Sequence, residues 1–581
     1  MTTRSTGIPV SRRRVSSVLL ASCLLFLSSS ELEAQVVLAP SAPQVGSSNT
    51  VTADPPVPRP RTTPCTVSLF QNLEFADFNL KPFSYTPPPR CPGPWAKVVF
   101  TADFTVTAGR QFDRTAKFFL GGVNLYFGTT AEPRASLSPS WHVESDVTEL
   151  SALFRSAQNG FANLGNFVGV SGGVNFNGLI FANAQLEFYP VSFTGRDRTT
   201  KTADVVIGLQ GDSDGTTLNT TGSQLSKTLT LPTNVESAYL DVIAQSQSND
   251  EFWYLCVPDD LAAALQSCGG TGFRETEVSI DGQPAGVAPV YPWIYTGGID
   301  PFLWEPIPGV QTLNFKPYRV DLTPFAGLLS DGQQHTVALS VFNANNNFVA
   351  TATLLLYTDP GAERIVGSIV RNELAAEPSP KVTENVTVGP NGDASGSVIV
   401  ASERQYEITG YVKTSHGIVE TTVRQALRFR NSQNFTINGT TYIQDLAQST
   451  TVKAKTITRG ILSVTENDRE LSYPLTIHFG QITNADGSLS VNTVANQRLR
   501  VEDVRRFDGF TVSADETSNA VASADTLSFN SAGARTGNTG ASSQEYFTRD
   551  SRGGCYSRIL TSVNNALTGF KDGDRCSRST K

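Results

Sequence analysis

Apolar residues in this chain recur at every second position, and almost nowhere at the three-to-four spacing of a helix. Val98, Phe100, Ala102, Phe104 and Val106 alternate with Val99, Thr101, Asp103, Thr105 and Thr107, and Val337, Leu339 and Val341 repeat the pattern. A period of two places one set of side chains on each face of a strand. Val278 and Ile280 run into Asp281-Gly282, and further Asp-Gly or Asn-Gly turns begin at Asp331, Asn391, Asn438, Asp486 and Asp508. Short strands joined by such turns specify sandwiches or jelly rolls. Helix is predicted only over Asp146–Phe154 and Pro258–Gln266, two or three turns each. The fold class expected is therefore all-β.

A chain of 581 residues exceeds one hydrophobic core, so two to four domains are expected. Arg12, Arg13 and Arg14, followed by the apolar run Val15–Leu27 and small residues up to Ala34, read as an export signal over 1–34. That run is short for a membrane span. Residues 35–64 are Pro-rich and polar, which predicts a flexible lead-in. β patterning follows from Cys65, weakens over 361–379, where a linker is expected, and returns in a β-rich C-terminal domain, 380–581. Ser523–Ser543, rich in Gly, Ser, Thr and Asn, predicts a long loop.

The net charge is −8, and no Lys/Arg cluster lies beyond the extreme N-terminus, so nucleic acid is not an expected partner. Once Cys23 leaves with the signal, six cysteines form three local pairs, suggesting disulfides Cys65–Cys91, Cys256–Cys268 and Cys555–Cys576. Asn-x-Ser/Thr sequons at Asn219, Asn385, Asn434 and Asn438 mark expected glycosylation positions. These features place the mature chain outside the cell or in the secretory–vacuolar pathway, with no membrane association after signal cleavage.

The same inventory narrows the chemistry. Paired cysteines in an oxidising compartment argue against a thiol nucleophile. His142, His335, His416 and His478 lie in unrelated contexts, and neither clustered His nor a Cys-x-x-Cys pair suggests a metal. No Gly-x-Ser-x-Gly elbow occurs. Carboxylates remain: Asp113, Glu132, the adjacent Asp250 and Glu251, and Asp300 and Glu305 flanking Trp304. Trp253, Trp293 and Trp304 share the window of the last four. Aromatic faces beside acids suit a sugar-binding site with general acid/base chemistry, but the same aromatics suit a sandwich core, and each acid suits an exposed charge or an Arg partner. If extended, the Asp250-Glu251 segment would turn its two acids to opposite sides.

Asp113-Arg114, Leu120-Gly-Gly-Val123, Thr130-Ala-Glu-Pro133, Trp141 and Asp146-Val-Thr148 occur in that order. They are followed by Asp250-Glu-Phe-Trp-Tyr254, Tyr295-Thr-Gly-Gly-Ile299, Trp304 and the segment Tyr318 to Phe325. Thr409-Gly-Tyr-Val-Lys413 and Ser415-His-Gly417 complete the series. Singly these motifs are weak. In this order, over roughly 65–460, the chain resembles the plant and fungal peptide-N-glycanase A (glycoamidase A) family. One departure is the short lead Gln245-Ser-Gln-Ser-Asn249 into the Asp-Glu-Phe-Trp-Tyr motif, where the family carries a longer Gly/Asn-rich stretch.

The resemblance implies a cofactor-free amidohydrolase, active in acid, that cleaves the β-aspartylglucosylamine bond of an N-glycopeptide or N-glycoprotein. By analogy with the bacterial glycoamidase it also implies tandem jelly-roll-like sandwiches, roughly 65–200 and 201–360, with acids at their junction. The candidates for proton transfer are Glu251, Asp250, Glu132 and Asp113. Arg114, Trp253, Trp293, Asp300 and Trp304 are the candidates for substrate contact. A carbohydrate-binding protein without turnover and a glycosidase using the same acids are the competing readings.

Overall fold

The computed structural model describes residues 42–132, 134–191 and 201–576; the signal read over 1–34 lies outside them. The chain forms two β-sandwiches followed by one large antiparallel sheet. In the first sandwich, Cys65–Phe75, Ile180–Pro190, Trp95–Val106 and Ser140–Asp146 form one sheet. Lys81–Tyr85, Gln158–Leu164, Thr115–Leu120 and Val123–Thr129 form the other. Setting aside the small hairpin Gly169–Ser171/Val174–Phe176, the first, eighth, third and sixth strands face the second, seventh, fourth and fifth, which is jelly-roll order.

The second sandwich repeats this order. Val205–Gly208 and Thr216–Thr220 share the first place, beside Asn345–Thr358, Val235–Ser246 and Tyr318–Asp321. Leu225–Thr230, Gln334–Phe342, Glu275–Ile280 and Gln283–Pro289 form the facing sheet.

The alternation in Trp95–Val106 puts Val98, Phe100, Ala102, Phe104 and Val106 in the first core. There Phe104 stacks on Trp141 with ring centres 5.0 Å apart. Burial of such rings supplies the main driving force for packing the two sheets. The second core has no boundary with the C-terminal sheet: Trp253, Phe273 and Ile294 share a cluster with Ile408, Phe429, Leu446 and Leu471.

The C-terminal sheet has 12 strands and is largely a meander of long hairpins such as Ala394–Thr414 with Gly417–Asn438. Its strands pack so closely on the second sandwich that a Cβ on Gly410 would lie 1.9 Å from the Pro324 carbonyl oxygen.

Several expectations are corrected. Asp146–Phe154 forms two 3-10 turns, Thr148–Leu150 and Leu153–Arg155, and Pro258–Gln266 forms a single α turn, Asp259–Ala262. Short amphipathic runs between strands lack the length to propagate helix. Ser523–Ser543 is not a loop: Phe510–Phe529 pairs with Arg535–Arg549, because neighbouring strands satisfy a backbone whose side chains are too small to announce a strand. The linker expected over 361–379 contains the edge strand Val366–Asn372.

Residues 42–64 are not a free lead-in either. The Ala53 N–H donates to Gln544 Oε1 at 2.7 Å, and Arg59 pairs with Glu144 and Glu187 at 2.6 and 2.9 Å. The segment ties the C-terminal sheet to the first sandwich. All three expected disulfides are present: Cys65–Cys91, Cys256–Cys268 and Cys555–Cys576.

Candidate active site

The hairpin of Thr115–Leu120 and Val123–Thr129 opens at one end into two loops, one carrying Asp113-Arg114 and the other Glu132. The loops are stitched together: Thr130 N–H donates to the Arg114 carbonyl at 2.8 Å, and Arg114 N–H to Thr130 Oγ1 at 2.9 Å. The Asp113 N–H reaches Glu132 Oε2 at 3.3 Å.

The second sandwich closes the site from across the junction. Thr296 Oγ1 donates to the Thr130 carbonyl at 2.7 Å, and the next residue, Gly297, donates its N–H to Asp113 Oδ2 at 3.0 Å. A Cβ on Gly297 would fall 2.0 Å from Glu132 Oε2 and 3.1 Å from Asp113 Oδ1, so a side chain here would push the Glu132 carboxylate from its place. Glu251 enters from the turn after Val235–Ser246.

Asp113 raises both glutamates, and Glu132 raises Glu251. Glu251 is pushed up to about 7, first by burial and then by the charges of Asp113 and Glu132. Glu132 is likewise pushed up to about 7 by burial and by Asp113, against the opposing pull of Arg114 and Arg110. Burial also raises Asp113, but the Gly297 N–H and the Arg114 charge act against it. A cluster of this kind titrates as a unit and retains a proton near neutrality. Glu251 is the one member for which every named cause favours the neutral acid.

Arg114 does not form a carboxylate pair with Asp113: its Nη1 donates to the Asp113 carbonyl at 2.9 Å, and the guanidinium lies 5.3 Å from the Phe112 ring centre. Phe112 is exposed and packs on Phe176, with ring centres 5.0 Å apart. Arg110 lies 6.0 Å over the Phe176 ring. This aromatic–arginine patch beside the acids was not picked out from the sequence, because single Phe residues on separate loops carry no periodic signal. Gly297 was visible only as part of Tyr295-Thr-Gly-Gly-Ile299.

The other candidates are placed elsewhere. Asp250 is sealed beneath the turn in an ion pair with Arg274, 2.8 Å apart, both side chains at 0% exposure. It is a structural anion, and the 3-10 turn Ser248–Asp250 sends it inward while Glu251 faces the cluster.

Trp253, Trp293 and Trp304 are core residues at 0%, 4% and 2% exposure, not open platforms for a sugar. Trp253 packs on Phe429 of the C-terminal sheet and Trp293 on Phe315. Trp304 Nε1 donates to the Gly298 carbonyl at 2.9 Å and so props the loop that presents Gly297. Asp300 is buried, accepts the Phe302 N–H at 3.0 Å and lies against Asp525 of the C-terminal sheet. The large rings were drawn inward because the C-terminal sheet covers the window that carries them.

Residues 54–374 match the family described as peptide N-acetyl-beta-D-glucosaminyl asparaginase amidase A, and residues 397–475 match the C-terminal domain of the same family. The peptide-N4-(N-acetyl-beta-glucosaminyl)asparagine amidase A of Prunus dulcis is 30% identical over 398 residues, which cover 65% of this chain and 68% of that protein. Among solved structures, PNGase F, a glycosylasparaginase from Flavobacterium meningosepticum, aligns at a TM-score of 0.34 and 12% identity, over 51% of this chain and 96% of its own. PNGF-II aligns at 0.34 and 14% identity, over 51% of this chain and 65% of its own. With more than half of its length matched by the family's description, the chain belongs to the peptide N-acetyl-β-D-glucosaminyl asparaginase amidase A family.

Proposed function

We propose that the protein is a secreted glycoamidase that hydrolyses the bond between the first sugar of an N-linked glycan and the side-chain nitrogen of Asn. The observation that carries this reading is the junction itself. Asp113 and Glu132 from the first sandwich and Glu251 from the second share one half-buried site, with two of the acids at about 7. The family membership agrees with the bond chosen.

Asp113 is the base. Its carboxylate is held by the Gly297 N–H and faced by the Arg114 charge, and it takes a proton from water as the water oxygen bonds to the amide carbon. The Arg114 guanidinium stabilises the oxyanion that forms. Glu251, neutral at the start, gives its proton to the nitrogen as the C–N bond breaks. The peptide keeps Asp, and the glycan departs as a 1-amino sugar. Glu132 helps keep Glu251 protonated and orders the Asp113 backbone. The exposed Phe112, backed by the buried Phe176, supplies apolar ring surface beside the scissile bond.

Three disulfides fit an oxidising compartment. Among the described residues no helix is long and apolar enough to cross a membrane. The four sequon asparagines are exposed.

Incubation of the secreted protein with an N-glycopeptide, followed by mass spectrometry of the peptide, tests the reading. Conversion of Asn to Asp is expected. A peptide that keeps one N-acetylglucosamine would identify an endoglycosidase instead, and an intact but retained glycopeptide would identify a binding protein.

A further inference from the structure

Asp300 and the carboxyl it meets, Asp525 of the C-terminal sheet, are buried at 3% and 1% exposure. Asp525 lies on Phe510–Phe529, two residues beyond Ser523, so the two side chains share a face of that strand. Ser523 Oγ donates to the Leu303 carbonyl at 2.6 Å, which sets the strand against the 3-10 turn Pro301–Trp304 that Asp300 caps. Gly540 is the cross-strand neighbour of Asp525. A Cβ there would lie 2.5 Å from Asp525 Oδ1, so the missing side chain leaves room for the carboxyl.

The pair lacks the partners that two buried anions need. Asp300 Oδ1 accepts the Phe302 N–H at 3.0 Å. Among the described residues no N–H or O–H donates in ordinary geometry to Asp300 Oδ2 or to either oxygen of Asp525. Arg134 of the first sandwich and Arg535 of the C-terminal sheet are the cations facing the pair. Arg134 is engaged by Glu305 at 3.1 Å, and the two guanidiniums lie 4.8 and 4.3 Å from the centre of the Phe302 ring.

Buried carboxylates without donors are costly, and two in contact cannot both ionise. One proton resolves the conflict: Asp300 Oδ2 donates it and Asp525 accepts. Burial, then the Asp525 charge and this bond, push Asp300 up to about 6, against the Phe302 N–H and Arg535. Burial raises Asp525 as well, opposed by Asn538, the Asp300 bond, Arg134 and the Thr526 N–H. Glu305, the remaining acid of this group, is held up to about 7 by burial and so ionises after Asp300.

Asp300 is also the central tie of its loop. Its N–H donates to the Gly298 carbonyl at 2.8 Å, and its carbonyl accepts the Leu303 N–H at 3.1 Å. Gly298 follows Gly297, whose N–H holds the Asp113 carboxylate. The seat of Asp300 against the sheet is thereby passed along a few residues to Asp113.

We propose that Asp525 is a positioning residue for the hydrolysis, sharing one proton with Asp300 and so holding the loop that aims the Gly297 N–H at Asp113; this rests on the reading of Asp113 as the base. The C-terminal sheet then takes part in the reaction without lending a group to the acid cluster. Below about 6 the proton stays and the loop is latched. Above it the proton leaves to water, two anions remain in contact, and their repulsion eases the loop off the sheet.

Hydrogen exchange of the segment 295–304 in the whole mature protein, corrected for the intrinsic effect of pH, tests this. Protection is expected to fall about tenfold between about pH 5 and about pH 7.5. Asp300→Asn places an amide where the proton was: its Nδ2 donates to Asp525 at every pH, and its Oδ1 keeps the Phe302 N–H. Protection in Asp300→Asn should therefore hold across the range. In hydrolysis the parent should show a few-fold shoulder in kcat near 6, which Asp300→Asn removes while leaving the limb near 7. Asp525→Ala should be poorly protected at both pH values and lower kcat more than it changes KM. Parental protection that does not change with pH would overturn the proposal, as would an Asp300→Asn variant that follows the parent. Protection that persists at about pH 7.5 and is lost with EDTA would overturn it in favour of a divalent cation held between the two carboxylates. Exchange is read without substrate, so failure of the latch is told apart from failure of the glycoamidase reading.

Discussion

Asp250 and Glu251 are neighbours in sequence, yet the structure gives them opposite consequences when their charge is removed. Asp250 accepts from Arg274 Nε at 2.9 Å and from the Asn345 N–H at 2.5 Å, and the pair is wholly out of solvent. Asp250→Asn leaves the Arg274 guanidinium buried without a counter-charge, which costs about 3–5 kcal/mol of stability in the second sandwich. The site itself loses no proton-transfer group, so kcat per folded molecule should stay within a few-fold of the parent.

Glu251→Gln keeps volume and removes only the acidic proton. Every named influence on Glu251 disfavours its charged form, so the amide should leave stability unchanged or raise it above neutral pH. Loss of a positioned general acid lowers kcat by about 10²- to 10⁴-fold. The assay is glycopeptide hydrolysis, normalised by circular dichroism and accompanied by urea unfolding of each variant. The reasoning is refuted if Asp250→Asn is as stable as the parent and inactive, or if Glu251→Gln retains parental kcat.

The remaining predictions use the same geometry. Gly297→Ala drives a methyl into the place of Glu132 Oε2 and disturbs the N–H bond to Asp113; a fall in kcat/KM of about 10- to 100-fold, with an unchanged unfolding midpoint, is expected. The pH profile should lose activity as pH rises through about 7, where Glu251 and Glu132 deprotonate, and Glu251→Gln should remove that limb. Because both folded acids lie above their ordinary value of 4.5, folding favours their protonated forms. Their contribution to stability is fully present below about 4.5 and lost as pH climbs through about 7, which urea midpoints across that window will show. Trp253→Ala should cost about 3–5 kcal/mol through a core cavity, whereas a true sugar platform would instead raise KM with stability intact. Cys256→Ala with Cys268→Ala opens a disulfide spanning 12 residues just beyond Glu251 and should lower stability by about 2–4 kcal/mol.

Much of the class of fold is written locally. Alternation such as Val98 to Val106 dictates a strand because two-residue periodicity has only one regular solution, and cysteine pairs close in sequence found each other within their own loops. The repetition of one jelly-roll order is not written as a repeat of residues, since a sandwich requires alternation and turns rather than particular side chains. Small polar strands such as Phe510–Phe529 were also hidden, because their stability comes from neighbours rather than from propensity.

The carboxylates and tryptophans mark the limit. Sequence alone supplied the residue types, argued against a thiol mechanism, and narrowed the chemistry to carboxylates, with Glu251, Asp250, Glu132 and Asp113 as the candidates for proton transfer. It could not tell which acids shared a site and which were anchored elsewhere. Asp113 and Glu251 are far apart along the chain and meet only because two sandwiches dock through the Thr296–Thr130 and Gly297–Asp113 bonds. Their mutual charge repulsion, and hence a proton held near neutrality, depends on distance and shielding from water, quantities that docking creates and no local pattern encodes. The same docking, with the C-terminal sheet laid over the second sandwich, turned Trp253, Trp293 and Trp304 into core and left Phe112 beside the acids.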